Sequence, residues 1–243
     1  MKVIYCGFAV LILALSIPAA AEALNVEAAE QDVYPEELSP DPFESVNRVT
    51  HGFNNIFDKF MFRPLAKSYQ WVVPNVAQAG ISNFFLNIDD INNATHSLLQ
   101  GKPKAGLSDL GRLLLNTTMG VGGLLDPAST VGLVRHEEDL GQTLQVWGIP
   151  KGPYIVLPFL GPSTLTDFIS TPIDSRTNLL LYYRPTRNRN YLLATNLIDT
   201  RADFLSAESL VFGDRYIFFR DAYLQRREFL VKDGKVEDAF DDF

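Results

Sequence analysis

The chain has 243 residues, and its 29 Asp and Glu outweigh 21 Lys and Arg for a formal net charge of −8. That acidity excludes the basic face a nucleic-acid partner demands. One cysteine leaves no disulfide framework, and 12% aromatic content with 17 Phe calls for a core or an apolar ligand, because phenylalanine has no polar handle.

The N-terminus carries Lys2, an apolar run over residues 10–17, Pro18 and an Ala19-Ala20-Ala21 cleavage pattern before Glu22. This reads as a secretory signal peptide, too short to span a membrane, with Ala21-Glu22-Ala23 as a second cleavage option. The single cysteine, Cys6, follows Val-Ile-Tyr and precedes the apolar run, so it is not placed as a lipobox cysteine. Residues 1–21 are therefore assigned to the signal, 22–40 to an acidic flexible leader, 41–233 to a helical domain and 234–243 to an acidic tail. About 220 residues remain after cleavage, enough for one large domain.

The first helix is expected to start at Asp41-Pro42-Phe43-Glu44, with Asp41 as cap, Pro42 in the first turn and Glu44 completing a D-x-x-E box. Val46, Val49, Phe53, Ile56, Phe57 and Phe60 then share one helical face, while Asn47, His51, Asn54 and Asp58 share another. Arg63-Pro64 is expected to break this helix and start a second, to Val73. Pro74 starts a third, with Ile81, Phe84, Phe85, Ile88, Ile91, Thr95 and Leu98 as its stripe. Gly101 ends it, and Pro103 starts a helix carrying Leu107, Leu110 and Leu114. A Gly-rich apolar turn follows over residues 116–126.

Residues 140–147 read as a short helix. The stretch from Leu140 to Thr166 carries a single charge, Lys151, but four glycines and four prolines deny it a continuous helix. It is long enough for a bilayer crossing, which needs about 20 residues, but a broken backbone cannot face lipid alone. It either fills a core or lines a protected apolar cavity. Its YIVLPFL run, residues 154–160, is strand-like but interrupted by Pro158 and lacks an obvious partner strand. Residues 164–171, 188–212 and 214–232 read as further helices. The fold class is mainly α, a single helical domain with little or no strand.

From Ser68 to Thr166 only 12 of 99 residues are charged. A water-soluble bundle keeps a charged face along every helix. These helices carry Asn, Gln, Ser and Thr instead, which fits either contact with lipid or burial on all sides.

The motifs of common chemistries are absent: no G-x-S-x-G, H-E-x-x-H, G-x-x-x-x-G-K-[ST] or EF-hand loop. His136-Glu137-Glu138-Asp139 crowds four ligand types, but neighbours in one turn rarely converge on a metal, and a solvated acidic helix start is the better reading. The arginines of the last helix, among them Arg215, Arg220, Arg226 and Arg227, alternate with aromatics and acids. They suit a structural role better than headgroup contact. Neither a catalytic site, a cofactor nor a metal is expected, and no enzyme activity.

Four segments, DPFESVNRVTHGFN (41–54), RLLLNTTMGVGGLLDPA (112–128), EEDLGQTLQVWGIPKGPYIVLPFLGPS (137–163) and RDAYLQRREF (220–229), resemble in order the MlaA/VacJ proteins of the Gram-negative outer membrane. The resemblance implies a helical ring or wedge embedded in the inner part of that membrane. It further implies an amphipathic pore passing outer-leaflet phospholipid to a soluble periplasmic lipid carrier, association with a trimeric outer-membrane porin, and no bond made or broken. Many members are lipoproteins, and this chain departs from them in lacking a usable lipobox. From polarity and motif position, the residues expected along a lipid path are Asn47, Arg48, Phe53, Asn54, Asn116, Thr117, Gly120, Gly122, Gly123, Trp147, Tyr154 and Phe159. A soluble periplasmic structural or assembly protein is the alternative.

Overall fold

A computed structural model describes residues 41–235; the expected signal peptide, the leader and residues 236–243 of the tail lie outside the described residues. The first helix, α1 (Glu44–Phe57), begins later than the D-x-x-E pattern suggests. Asp41 is not its cap: its carboxylate accepts from the Phe43 amide at 3.0 Å and from the Asn47 side chain, while Glu44 turns to Arg48 at 2.7 Å. Nor does Arg63-Pro64 break the chain. A π-helical turn, Asp58–Phe62, carries α1 directly into α2 (Arg63–Val72). The wider turn absorbs the missing amide and the ring of Pro64.

Val73 is extended, and α3 (Asn75–Leu99) starts after Pro74. Its 25 residues span about 37 Å. Gly101, at φ +76°, closes α3 with the Lys102 amide donating to the Ser97 carbonyl at 2.9 Å. The chain returns as α4 (Pro103–Thr118), packed antiparallel along α3. A loop leads to α5 (Pro127–Thr130), then α6 (Leu140–Val146). The strand-like run does find a partner. β1 (Tyr154–Leu157) pairs antiparallel with β2 (Gly161–Thr164), Tyr154 opposite Thr164 and Leu157 opposite Gly161. GPST carries too weak a strand signal to be read alone, and Pro158 lies in the three-residue loop between the strands. Then come α7 (Leu165–Asp174), a 3₁₀ turn (Leu179–Tyr182), α8 (Thr186–Asp203), a second 3₁₀ turn (Ser206–Leu210) and α9 (Arg215–Val231). The helix expected over 188–212 thus stops at Asp203. The two-stranded hairpin apart, the described residues are helical or loop.

Burial runs opposite to that of a soluble bundle. Among the described residues 18 polar or charged side chains are buried against nine apolar ones, while 43 large apolar side chains are exposed. On α4 the buried stripe is Gly106, Asp109, Arg112 and Asn116, at helical spacing, with Leu107 and Leu114 outside. On α3 it includes Asn87, Asp90, Asn93, Ala94 and Ser97, with Leu86, Leu98 and Leu99 exposed. The α1 stripe faces outward too: Val49 and Phe60 are each 74% exposed, whereas Asn47 is 2% exposed. Of the two readings of the central helices, burial on all sides is the one these faces contradict. No helix of the described residues is long and apolar enough to cross a membrane.

Candidate functional site

The polar face of α1 docks on the hairpin through two asparagines seven residues apart. Asn47 donates to the Tyr154 carbonyl at 3.1 Å and accepts from the Val156 amide at 2.8 Å. Asn54 repeats the pattern two turns on, donating to Leu157 O and accepting from the Phe159 amide, both at 2.8 Å. Asn47 thereby satisfies one donor and one acceptor on β1, as a neighbouring strand would, and Asn54 does the same for the end of β1 and the loop that follows it. Phe159 sits at the hairpin tip with φ +64°. Its ring meets Phe53 and Phe57 edge-on at 5.1 and 4.9 Å, and this contact holds a strained backbone. Arg48 pairs with Asp214 at 2.6 Å and lies over the Tyr216 ring at 4.5 Å. Tyr154 is buried against Tyr216 and Tyr223.

A second cluster closes the C-terminal end of α4. Asp126 caps α5, accepting from the Ser129 amide at 3.1 Å. It also accepts from Arg112 at 2.7 Å and Asn116 at 3.0 Å. Burial opposes its charge, but the hydrogen bonds from Ser129, Arg112 and Asn116 outweigh it and hold the carboxyl well below the usual range. Asn116 also accepts from the Ala128 amide, and Thr117 accepts from Asn87, each at 3.0 Å. A Cβ on Gly120 would collide with the carbonyl oxygens of Leu125 and Asn116, and Gly123, at φ +94°, lies against Asn87. Gly122, at φ +72°, faces open space. Deeper in, Asp90 meets Arg135 at 3.1 Å; burial pushes its carboxyl up to about 6 against the pull of Arg135 and Arg112.

The third junction joins two distant motifs. Arg227 of α9 donates to Asp139 at 3.1 Å and also to Asp167, which accepts from Tyr223 at 2.6 Å and from Thr164 at 2.7 Å. Asp139 caps α6 and Thr164 caps α7, so one guanidinium ties two helix starts together. Gly141 is required there, because a Cβ would enter the Asp167 carboxylate. His96 is buried between Thr143 at 3.1 Å and Asp174 at 3.0 Å. The acidic run is not a solvated helix start. His136 pairs with Asp109, Glu137 with Arg226, Glu138 with Lys102 and Asp139 with Arg227. These partners point four ways, and among the described residues no His, Cys, Asp and Glu group could hold a metal. Trp147, at the end of α6, donates to the Leu99 carbonyl at 3.2 Å.

Residues 39–230 match the model of the family described as "MlaA lipoprotein". The chain belongs to the MlaA family. It is 35% identical over 204 residues to the Escherichia coli (strain K12) protein named "Intermembrane phospholipid transport system lipoprotein MlaA", a match covering 81% of this chain and 80% of that one. The Haemophilus influenzae protein of the same name is 30% identical over 207 residues, 82% of each chain. A solved structure described as "Structural basis for maintenance of bacterial outer membrane lipid asymmetry" superimposes with a TM-score of 0.71 at 34% identity, covering 79% of this chain and all of that one.

Within this MlaA-family fold the twelve residues expected along a lipid path do not form one lining. Asn47, Arg48, Phe53, Asn54, Tyr154 and Phe159 gather where α1 meets the hairpin. Asn116, Thr117, Gly120, Gly122 and Gly123 gather at the turn after α4, and Trp147 stands apart on the end of α3. The amides of Asn47, Asn54 and Asn116 are already engaged by backbone or carboxylate partners. No sequence motif singled out Arg112, Asp126 or Asp167, and Asp139 was weighed only within the acidic run. The one available signal was that α4 has polar residues at helical spacing between leucines, which marks the polar stripe as the packed face.

Proposed function

We propose that this chain is the outer-membrane component of a phospholipid transport system. In this reading it takes mislocalised outer-leaflet phospholipid through an amphipathic pore and delivers it to a soluble periplasmic carrier, with a trimeric porin as its neighbour in the membrane. The observation that carries the reading is the reversed burial: 43 large apolar side chains outward, polar clusters inward. In water such a surface would drive aggregation; in the acyl region it is matched to its solvent, at about 25 cal/mol per Å². That argues against the alternative of a soluble assembly protein. The named relatives support the same assignment. The protein works as a conduit, with no bond made or broken. The charge-poor outward faces and the porin would help to hold it in place.

Deleting the gene should raise outer-leaflet phospholipid and detergent sensitivity, and re-expression should restore both. Unchanged surface phospholipid in the deletion strain would sink the proposal. Recovery of the protein wholly in the soluble periplasm would favour the alternative.

A further inference from the structure

Away from the three junctions, a cleft of ≈ 410 Å³ opens between α2 and the connection from α8 to α9. It is lined by Arg63, Lys67, Gln70, Leu205, Glu208, Ser209 and Arg215. In a chain of net charge −8 this is a local excess of positive charge. Its carboxylates are already committed. Arg201 takes both oxygens of Asp58 at 2.6 and 2.8 Å and also holds Glu208, whose other oxygen is held by Arg63 at 2.7 Å. Asp214, next to Arg215, is held by Arg48 and by the first amides of α9. Among the described residues Lys67 and Arg215 have no carboxylate within salt-bridge distance, and the buried Nε of Arg63 has no hydrogen-bond partner. Exposed apolar residues flank the lining in sequence: Phe60 and Met61 precede Arg63, and Leu210 and Phe212 follow Ser209.

We propose that this cleft binds the phosphate of a phospholipid headgroup and prefers anionic headgroups to zwitterionic ones; the proposal rests on the transport reading above. The volume suits a glycerophosphate group. Two cations without a carboxylate partner, Lys67 and Arg215, match the oxygens of a phosphodiester. The exposed apolar side chains beside the lining residues in sequence would take the acyl chains. The ammonium of phosphatidylethanolamine would find no uncommitted carboxylate, whereas phosphatidylglycerol brings only negative charge.

The test loads full-length protein in vesicles of phosphatidylethanolamine and phosphatidylglycerol at known ratio, extracts it in mild detergent and counts bound lipids by mass spectrometry. Wild type should enrich phosphatidylglycerol about three- to tenfold over the vesicle ratio, less at high salt. The Lys67→Gln/Arg215→Gln variant should still hold phospholipid but at the vesicle ratio, and Lys67→Arg/Arg215→Lys should restore the enrichment. Enrichment that survives the glutamine variant, or is absent in wild type, overturns the inference and leaves the transport reading intact. Wild type that captures no phospholipid overturns both. A parallel calorimetric titration uses inorganic phosphate on lipid-free protein. Phosphate binding that the glutamine variant abolishes, without lipid enrichment, assigns the cleft to free phosphate and overturns the headgroup assignment.

Discussion

Asn47 and Asn54 make the same pair of backbone bonds to the hairpin, at distances from 2.8 to 3.1 Å, but in different surroundings. Asn47 is 2% exposed and both of its strand contacts are buried; the Asn54 contacts are part-buried and exposed. Truncating Asn47 to alanine strands the Val156 amide and the Tyr154 carbonyl away from water, and each orphaned group costs about 1–3 kcal/mol. It also strips Asp41 of a donor at 3.0 Å. The sum is about 3–5 kcal/mol, a large share of a marginal stability. In Asn54→Ala water replaces the side chain, and the loss should be about 1–2 kcal/mol. Urea unfolding in mild detergent, followed by near-ultraviolet circular dichroism, measures both. Asn47→Asp is the sharper probe. It keeps the acceptor for the Val156 amide but sets a second carboxylate against Asp41 and cannot donate to Tyr154, so it should cost at least as much as alanine. Equal losses at the two positions, or an Asn47→Ala loss below about 1 kcal/mol, would refute the clamp.

Further outcomes follow from the same geometry. Gly120→Ala should cost about 3 kcal/mol because its Cβ meets backbone that cannot yield, whereas Gly122→Ala, facing open space at φ +72°, should cost about 1 kcal/mol; melting temperatures in detergent rank the two. Arg227→Met leaves Asp139 and Asp167 without their shared cation and should cost about 3–5 kcal/mol, while Arg226→Ala, on the exposed pair with Glu137, should cost under about 1 kcal/mol, read in the same urea assay. The acids divide by sign. Asp126, with Ser129 and Arg112 outweighing its burial, and Asp139, where Arg227 does so, are held low, so their contribution is present above about pH 4 and lost as pH falls below it. Asp90 is raised by burial to about 6, so its contribution is present below about pH 4 and lost as pH rises through 6. Asp90→Asn should therefore flatten the decline in melting temperature between about pH 4 and 7 and leave the acid limb in place.

Helix identity and order could be read from local signals: Pro74, Gly101 and Pro103 mark real boundaries, and the 140–147 and 214–232 readings hold to within a residue or so. The fold class and the family were likewise legible, from helical periodicity and from long motif strings. Which face of each helix points inward was not. Periodicity reports that apolar residues share a side of α1, α3 or α4, but it carries no sign, and the usual assumption of water outside inverts the answer here. The partner of β1 was hidden because Gly and Pro open GPST and weaken its strand signal; it pairs because the loop brings it back and Asn47 occupies the other edge of β1. The Gly/Pro stretch of 140–166 shows the division most plainly. Its sequence alone determined that it is neither one continuous helix nor a lone bilayer crossing, since glycine and proline leave backbone groups to be satisfied. Only the tertiary structure decided what satisfies them along the hairpin: two asparagines from α1, lying more than 100 residues away in the chain, a distance at which no local signal exists.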